Sequence, residues 1–386
     1  MKVGILGATG QSGQVIAKRL VYEKIGDPVL LGRNQAKLEM LRDELLLEAA
    51  SPSDIAVVNM RNQNSLEQAF RKIDFLVIAL SSFEHLPVVV RAAVNTKTDC
   101  LDILLCSAAK RNFLNAQREF FKTQGICYIT DGGYHPGVPA AMALWAETLC
   151  PGLHSIDIYG SFGVNWRKKH FSAETISDFS NELKNMDMSV LKEEKWISSW
   201  KHMKRFDFGD RCGVRDCAAM GMDEMQLLPN FVPTLKNTGF YIAGFGRIID
   251  WGILPLSLLA LNLFPHAAKQ VARFFVWGLK SFGPDNEWAI LRCKAHGDHG
   301  YIDIAASYPD AYGFTALPVI ACLKQYAETP HRPGLWHQAL YVEPSRFWND
   351  LQAMGVKMTF SINAKTEDIH HEPFQVSASD SLKRIE

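Results

Sequence analysis

Three glycines near the amino terminus constrain the fold more than any other feature of the chain. Gly7, Gly10 and Gly13 stand between an apolar run, Val3–Leu6, and a segment with helical periodicity, Gln11–Val21. Gly7 permits a tight turn, Gly10 lets the backbone approach a ligand without a Cβ, and Gly13 lets the helix pack closely on the strand. This order of strand, loop and helix predicts a βα unit whose helix N-terminus receives a dinucleotide pyrophosphate. The alternative is a glycine-rich turn without a ligand.

The first 145 residues alternate between strand and helix patterns. Apolar runs predict six strands, at Val3–Leu6, Pro28–Leu31, Ile55–Val58, Phe75–Ala79, Asp99–Ile103 and Cys127–Thr130. Helices are expected between them, at Gln11–Val21, Gln35–Ala49, Ser65–Arg71, His85–Asn95 and Ala108–Lys122. Strands without polar alternation are buried on both faces, as in a parallel sheet covered by helices. The prediction is an α/β fold with a Rossmann-type doubly wound parallel sheet.

The pattern becomes less regular after Cys150 and predicts a second, α+β domain. Expected elements are strands at Ile156–Gly163, Lys201–Phe208, Trp288–His296 and Gly300–Tyr308, and a helix at Ser172–Leu183. We expect residues 1–150 to form the Rossmann dinucleotide-binding domain, with a returning helix near residues 312–326. Residues 151–363 are expected to form a substrate and dimerisation domain, and residues 364–386 a polar tail.

Composition excludes several classes of partner. The chain has 41 Lys plus Arg and 41 Asp plus Glu among 386 residues, so its charge gives no reason to expect nucleic acid or an acidic membrane as the main partner. A local basic patch is still compatible with this balance. Its eight cysteines include no C-x-x-C pair, which fits a reducing compartment better than a disulfide framework. No secretory signal is recognisable at the start. We expect a cytoplasmic protein with a small-molecule substrate, and exposed tryptophans make a homodimer plausible.

The end of the second predicted strand favours NADP over NAD. An acidic residue at this place accepts the ribose hydroxyls of NAD, whereas this chain has Arg33, followed by Asn34 and, one turn along the next helix, Lys37. A cation pairs with the 2′-phosphate of NADP, which an acidic side chain would repel. The alternative for Arg33 is a solvated arginine at a helix start.

The other expected cofactor contacts lie at the carboxyl ends of strands, where ligands bind in such sheets. They are Thr9, Gln11 and Ser12 in the glycine loop, Asn59 near the adenine, and Leu80, Ser81 and Ser82 along the middle of the cofactor.

Four stretches of the chain resemble the saccharopine dehydrogenase-like oxidoreductases. They are Gly7–Gly13, Leu31–Leu38, the segment Pro87–Asp102, and Gly133–Pro139. The group includes saccharopine reductases, carboxynorspermidine dehydrogenases and lipid-directed enoyl reductases. The resemblance implies an NADP-dependent enzyme that transfers a hydride to or from a C=N, C=O or activated C=C group. It is good to about residue 145 and thin beyond.

The Gly133–Pro139 loop follows the sixth predicted strand, which places Tyr134 and His135 beside the nicotinamide end of the cleft. His135 is expected to donate or accept a proton, since an unperturbed histidine titrates near neutrality. A structural histidine that caps a turn is the alternative.

Two departures from the family pattern leave a second function open. Ser81-Ser82 and Leu105-Cys106 stand where relatives carry other residues. An NADP-binding regulatory or scaffold protein without turnover is therefore the alternative to an enzyme.

Two further segments call for interpretation. The run His296–His299 has turn chemistry and predicts a hairpin, so no metal site is expected. The apolar segment Trp251–Phe264 has only 14 residues and contains Pro255, which is too short to span a membrane. It could be a buried helix, a lipid-binding wall, a dimer face or a peripheral membrane contact. It inclines the expected substrate towards a bulky or lipid-like molecule.

Overall fold

The computed structural model describes residues 1–47, 52–168, 187–198, 202–209 and 212–364. These residues form two units. Unit 1 contains Met1–Val138 and Tyr312–Leu351, and unit 2 contains Pro139–Ala311 together with the part of the chain that follows unit 1. The helix expected at Ser172–Leu183 and the tail expected after residue 364 lie outside the described residues, as does Lys201.

Strands and helices follow each other along both units. The strands are β1 (Lys2–Leu6), β2 (Asp27–Gly32), β3 (Asp54–Val57), β4 (Phe75–Ile78), β5 (Asp99–Asp102), β6 (Cys127–Thr130), β7 (Leu153–Gly163), β8 (Ser189–Lys192), β9 (Lys195–Ser198), β10 (Lys204–Asp207), β11 (Val214–Ala219), β12 (Asn237–Ala243), β13 (Trp288–Gly297), β14 (Gly300–Tyr308), β15 (Gly334–His337) and β16 (Lys357–Ala364). The α-helices are α1 (Gln11–Glu23), α2 (Gln35–Leu45), α3 (Gln63–Phe70), α4 (Leu86–Thr96), α5 (Ala108–Gln124), α6 (Val138–Leu149), α7 (Asp223–Gln226), α8 (Leu254–Leu263), α9 (Ala268–Phe282), α10 (Ala311–Glu328), α11 (Gln338–Tyr341) and α12 (Pro344–Ala353). A π-helical turn, Ile249–Ile253, leads into α8.

Unit 1 is built on a seven-stranded sheet in the order β15-β6-β5-β4-β1-β2-β3. All its paired strands are parallel. The chain leaves β1 in one direction to β2 and β3, and then returns to build β4, β5 and β6 on the other side. This reversal of strand order is the Rossmann arrangement, and it confirms the predicted doubly wound sheet.

Apolar side chains on one face of this sheet pack against the helices that cover it. Leu6, Leu76 and Ile78 are buried in one cluster with residues of the surrounding helices, including Val89 of α4 and Phe121 of α5. Local signals set the helix ends: Asn34 and Asn62 accept from the first-turn amides of α2 and α3. Such caps satisfy amides that have no partner inside the helix.

The sequence interpretation missed β15, the edge strand of this sheet. Gly334 pairs with Cys127 and His337 with Thr130, in parallel register with β6. This strand has only four residues and follows Pro330 and Pro333. It is too short to show a periodicity.

Unit 2 contains a nine-stranded mixed sheet whose main path runs β10-β11-β12-β7-β13-β14-β16. The strands β7 and β12 are parallel, and the other neighbours on this path are antiparallel. Gly297 pairs with Gly300, so Asp298 and His299 form a two-residue turn. The predicted hairpin and the predicted α/β class with a second sheet-containing domain are therefore confirmed. The predicted strand at Lys201–Phe208 begins later, at Lys204.

Buried Asp99 at the start of β5 ties two other elements of unit 1 together. Its Oδ2 accepts from the Tyr326 hydroxyl of α10 at 2.6 Å and lies 2.8 Å from Nε2 of His331. Its Oδ1 accepts from the Cys127 amide of β6. The carboxylate thus joins β5, β6 and the segment between α10 and β15.

We predict that Tyr326→Phe lowers the free energy of unfolding by about 1.5–3 kcal/mol, because it removes a hydrogen bond to a buried carboxylate. Urea titration followed by circular dichroism would measure the change. Tyr301→Phe is the control, since Tyr301 is exposed and its replacement should change stability little. Equal effects of the two substitutions would contradict this role of Asp99.

Candidate active site

The glycine loop leaves no room for side chains at two of its three glycines. Gly7 has a left-handed φ of +88°, and a Cβ there would collide with the carbonyl oxygen of Ala79. A Cβ on Gly13 would collide with the carbonyl oxygen of Gly7. Gly10 meets only the Gly7 carbonyl oxygen, at 3.2 Å. The loop is therefore pressed against β4 and α1, and Gly10 faces the more open side.

The amino end of α1 is built to face an anion. Its cap residue, Gly10, has an extended backbone and provides no side-chain acceptor for the first-turn amides. The Gln14 side chain donates to the Thr9 carbonyl at 2.9 Å and so holds the loop. The amides of Gln11, Ser12 and Gly13 belong to the first turn, where the helix dipole favours negative charge.

At the end of β2, Arg33 and Lys37 are both exposed. Asn34 stands between them and caps α2, since its Oδ1 accepts from the Lys37 amide at 3.0 Å. The Asn34 side chain thus caps the helix, and both cations lie at the same strand end. Whether they touch a cofactor stays a prediction.

The remaining predicted contacts also lie at strand ends. Asn59 is exposed, and its Oδ1 accepts from the Arg61 amide at 3.0 Å. Leu80 has a methyl group 3.5 Å from the place of a Cβ on Gly7, so it borders the glycine loop. Ser81 is exposed, whereas the Ser82 hydroxyl accepts from the Glu84 amide and caps a short 3₁₀ turn.

Tyr134 and His135 follow β6. The Tyr134 ring is buried and packs on Phe314 with 5.0 Å between ring centroids. His135 lies edge-on to Tyr134 at 4.9 Å. Burial lowers the pKa of His135 to about 4, so its imidazole is neutral near pH 7. The pKa of His135 thus departs from the unperturbed value on which its expected role rested, and that role in proton transfer stays a prediction.

A buried ion cluster that the sequence interpretation missed lies at the carboxyl ends of β5, β6 and β15. The ammonium of Lys110 lies 2.8 Å from Oδ1 of Asp102 and 2.9 Å from Oδ1 of Asp131. It also donates to the Leu104 carbonyl at 2.8 Å. These three acceptors use all three N–H groups of the ammonium. The lysine stands at the start of α5, where Ser107 caps the helix.

Electrostatics within the cluster fixes its charges. Burial by itself would lower the pKa of Lys110, but the carboxylates of Asp102 and Asp131 outweigh it and raise that pKa above its usual value. Burial would raise the pKa of Asp131, yet Lys110 and His337 hold it below its usual value. Lys110 is thus protonated and Asp131 ionised at neutral pH.

His337, the last residue of β15, completes the cluster. Its Nδ1 lies 2.6 Å from Oδ2 of Asp131. Because an ionised carboxylate only accepts, Nδ1 must carry the hydrogen, and the other ring nitrogen, Nε2, is the one able to exchange a proton. A carboxylate that holds a histidine in this way fixes its tautomer and the orientation of its ring.

No recognised motif connects these residues, and His337 lies more than 200 positions from Asp131. A weak signal existed, because Asp102 lies near the end of one predicted strand and Asp131 directly follows another. His337 gave none, since the strand that carries it was not recognised.

Comparisons with known proteins identify unit 1. Residues 3–129 match the family model of the saccharopine dehydrogenase NADP binding domain. Unit 1 is therefore similar to the nucleotide-binding domain of this family over those residues. The resemblance to saccharopine dehydrogenase-like oxidoreductases is thereby confirmed, and a dinucleotide cofactor, NADP or NAD, follows from it. The match ends before Tyr134 and does not include β15.

Two relatives extend the similarity beyond unit 1. Carboxynorspermidine synthase of Vibrio cholerae is 26% identical over 292 residues, which cover 67% of this chain and 69% of that protein. Saccharopine dehydrogenase (L-Glu forming) of Saccharomyces cerevisiae, in its apo form, has a TM-score of 0.64 at 14% identity, with 93% of this chain and 99% of that chain covered. The latter similarity concerns the fold alone.

We predict that Gly13→Ala weakens dinucleotide binding at least tenfold and lowers the free energy of unfolding by about 1–3 kcal/mol, because the new methyl group overlaps the Gly7 carbonyl. Isothermal titration with NADPH and thermal unfolding would measure both effects. Gly252→Ala is the control, since a Cβ there has no neighbour within 4 Å. An unchanged NADPH affinity in Gly13→Ala would contradict the assignment of this loop.

Proposed function

We propose that the protein is an NADP-dependent oxidoreductase that transfers a hydride to or from a C=N, C=O or activated C=C group. The observation that carries this proposal is the glycine loop with an uncapped helix N-terminus next to Arg33. It supports a cofactor with a 2′-phosphate because the end of β2 presents two exposed cations, Arg33 and Lys37, and no acidic side chain.

The residues of unit 1 fit such a cofactor along its whole length. Thr9, Gln11 and Ser12 with the three loop glycines would hold the pyrophosphate, and Arg33, Asn34 and Lys37 the adenosine phosphate. Asn59 would border the adenine, and Leu80, Ser81 and Ser82 the middle of the cofactor. NADPH supplies the hydride in this chemistry, and the protein orients both reactants and excludes water.

We assign the proton transfer to His337. The Asp131 carboxylate fixes its ring and leaves Nε2 as the exchanging nitrogen. Tyr134 and His135 stay candidates for the orientation of substrate or cofactor, because a neutral His135 is a poor acid at pH 7.

The substrate is proposed to contain a bulky apolar part. Unit 2 has a groove of about 270 Å³ whose lining includes Phe208, Trp288, Ile290 and Tyr308, together with Arg292, which pairs with Asp303 at 3.2 Å. Aromatic walls with one charged group suit a molecule that is largely apolar and carries an anionic group. The name of the Vibrio cholerae relative, a carboxynorspermidine synthase, supports an amine-derived imine with a carboxylate as the first substrate class for a test.

We further propose a homodimer in the reducing cytoplasm. Every one of the eight cysteines is a free thiol, which supports the reducing compartment.

Turnover is tested by NADPH oxidation with purified protein against imines formed from amines and α-keto acids, and against enones. We expect oxidation with at least one class and a clear preference for NADPH over NADH. Tight NADPH binding without turnover on any of them would instead support an NADP-binding regulatory protein.

The same assay tests His337. We expect His337→Asn to lower kcat by about 10²–10⁴-fold, the usual contribution of a positioned acid or base, and to leave NADPH affinity within about twofold. His331→Asn is the matched control, because His331 also pairs with a buried aspartate but lies at the opposite edge of the sheet, beside Asp99. A kcat that His337→Asn leaves unchanged would rule out this role.

We predict that Arg33→Asp weakens NADPH binding at least tenfold and changes NADH binding much less, because it replaces a cation beside the 2′-phosphate with an anion. Competition titrations with both cofactors would measure the ratio. Lys72→Asp makes the same change of charge at another exposed site and should alter neither affinity by more than about twofold. Equal losses for both cofactors in Arg33→Asp would refute the assignment.

A further inference from the structure

An exposed apolar surface in unit 2 has no role in the proposed reaction. Eight of the nineteen large apolar side chains that are exposed in the described part of the chain lie within residues 248–282. They are Ile248, Trp251, Leu256, Leu259, Leu263, Phe264, Trp277 and Phe282. We call this set the apolar face. Such a concentration in a tenth of the chain marks a contact with another apolar body.

The helices that carry the apolar face are held rigidly from behind. Ile249, Ile253, Phe275 and Leu279 form a buried cluster beneath them, and Gly278 of α9 allows Ile253 to approach closely. The exposure of the apolar face is therefore not due to a missing core. The core under the two helices is already filled by other residues.

The exposed residues form ordered stripes along the helices. Leu256, Leu259 and Leu263 recur at intervals of three and four residues, which places them on one side of α8. On α9, Arg273 and Trp277 are exposed one turn apart. Trp251, with 64% of its surface accessible, stands in the π-helical turn before α8. Leucines with flanking tryptophans are typical of a helix that lies in a membrane interface.

The charges around the apolar face select its partner. Arg247, Lys269 and Arg273 are exposed and form no ion pair with described residues, and Lys280 adds a fourth cation. The one acidic side chain of the segment, Asp250, accepts from the Phe245 and Gly246 amides. Within a chain of zero net charge, this segment is therefore strongly basic, which complements an anionic surface.

The same charges disfavour a second copy of the chain as the partner. A twofold interface places the same patch of both subunits face to face, so the cations Arg247, Lys269 and Arg273 of one copy would be brought to the same basic patch of the other. Like charges across an interface oppose association. An anionic lipid surface meets the same cations with attraction.

The helices suit contact with the surface of a bilayer. Among the described residues, no helix is long and apolar enough to cross a membrane. The ten residues of α8 span about 15 Å, against the roughly 30 Å of a bilayer core. The leucine stripe can enter the headgroup boundary while the cations stay at the phosphate level.

We propose that the apolar face of α8 and α9 docks the protein on an anionic phospholipid surface. The leucine stripe of α8 with Trp251 and Trp277 enters the interface, and Arg247, Lys269 and Arg273 contact the lipid phosphates. This function is independent of the hydride transfer proposed above.

The test is cosedimentation of the purified full chain with vesicles of phosphatidylcholine alone and of phosphatidylcholine mixed with phosphatidylserine. We expect binding to the mixed vesicles that weakens with added salt. The double variant Leu259→Glu and Leu263→Glu should lose at least tenfold in affinity, since each leucine no longer leaves water. Met40→Glu, at a comparably exposed position in unit 1, should bind as the unchanged protein does.

A second variant separates charge from apolar burial and does not disturb the helices. Lys269→Gln with Arg273→Gln should reduce affinity for the mixed vesicles by about fivefold per residue, with little effect on phosphatidylcholine vesicles. NADPH binding, measured in parallel, should persist in every variant and so show that the chain is folded.

Three results would overturn the proposal. One is absence of binding to the mixed vesicles, and another is equal binding with and without phosphatidylserine. The third is a dimer, detected by sedimentation equilibrium, that the double variant Leu259→Glu and Leu263→Glu dissociates, together with no binding to vesicles. The apolar face would then be an interface between copies of the chain.

Discussion

The buried ammonium of Lys110 is the interaction on which the arrangement of the candidate active site depends. It lies between Asp102 after β5 and Asp131 after β6 and also binds the Leu104 carbonyl. Removal of a charge from water is costly unless close partners compensate, and here three acceptors do so. Because Asp131 is fixed by Lys110, it can in turn orient His337. The ion cluster therefore sets the position of the histidine to which we assign the proposed proton transfer.

The two ends of the proposed cofactor site are built by different physical means. At the pyrophosphate end, the backbone alone forms the site. The glycines allow close backbone contacts that a Cβ would prevent, and the first turn of α1 has no side-chain cap. At the other end, side chains from three strand ends converge, and burial tunes them. His135 loses its charge by burial, whereas Asp131 keeps its charge because Lys110 is adjacent. Both kinds of site occur at the carboxyl edge because every strand of this sheet points the same way.

The helical segment that carries the apolar face also contributes to a filled core. Ile253 and Phe275 pack inward, and Leu259 and Trp277 face solvent. Composition could not separate these possibilities, since buried helices, dimer faces and membrane contacts all have similar residues. Exposure and the nearby cations support the proposed contact with a lipid surface.

The sequence by itself determined the first sheet and the glycine loop, because both rest on local patterns. Apolar runs of four to six residues and a three-glycine spacing can be read without knowledge of distant neighbours, and the strands of unit 1 up to β6 lie where the pattern predicted them. Only the tertiary structure decided the rest. β15 is recognisable only through its pairing with β6, the pKa of His135 depends on burial, and His337 meets Asp131 from more than 200 positions away. Such contacts are set by how the chain folds back on itself, and no local spacing records them.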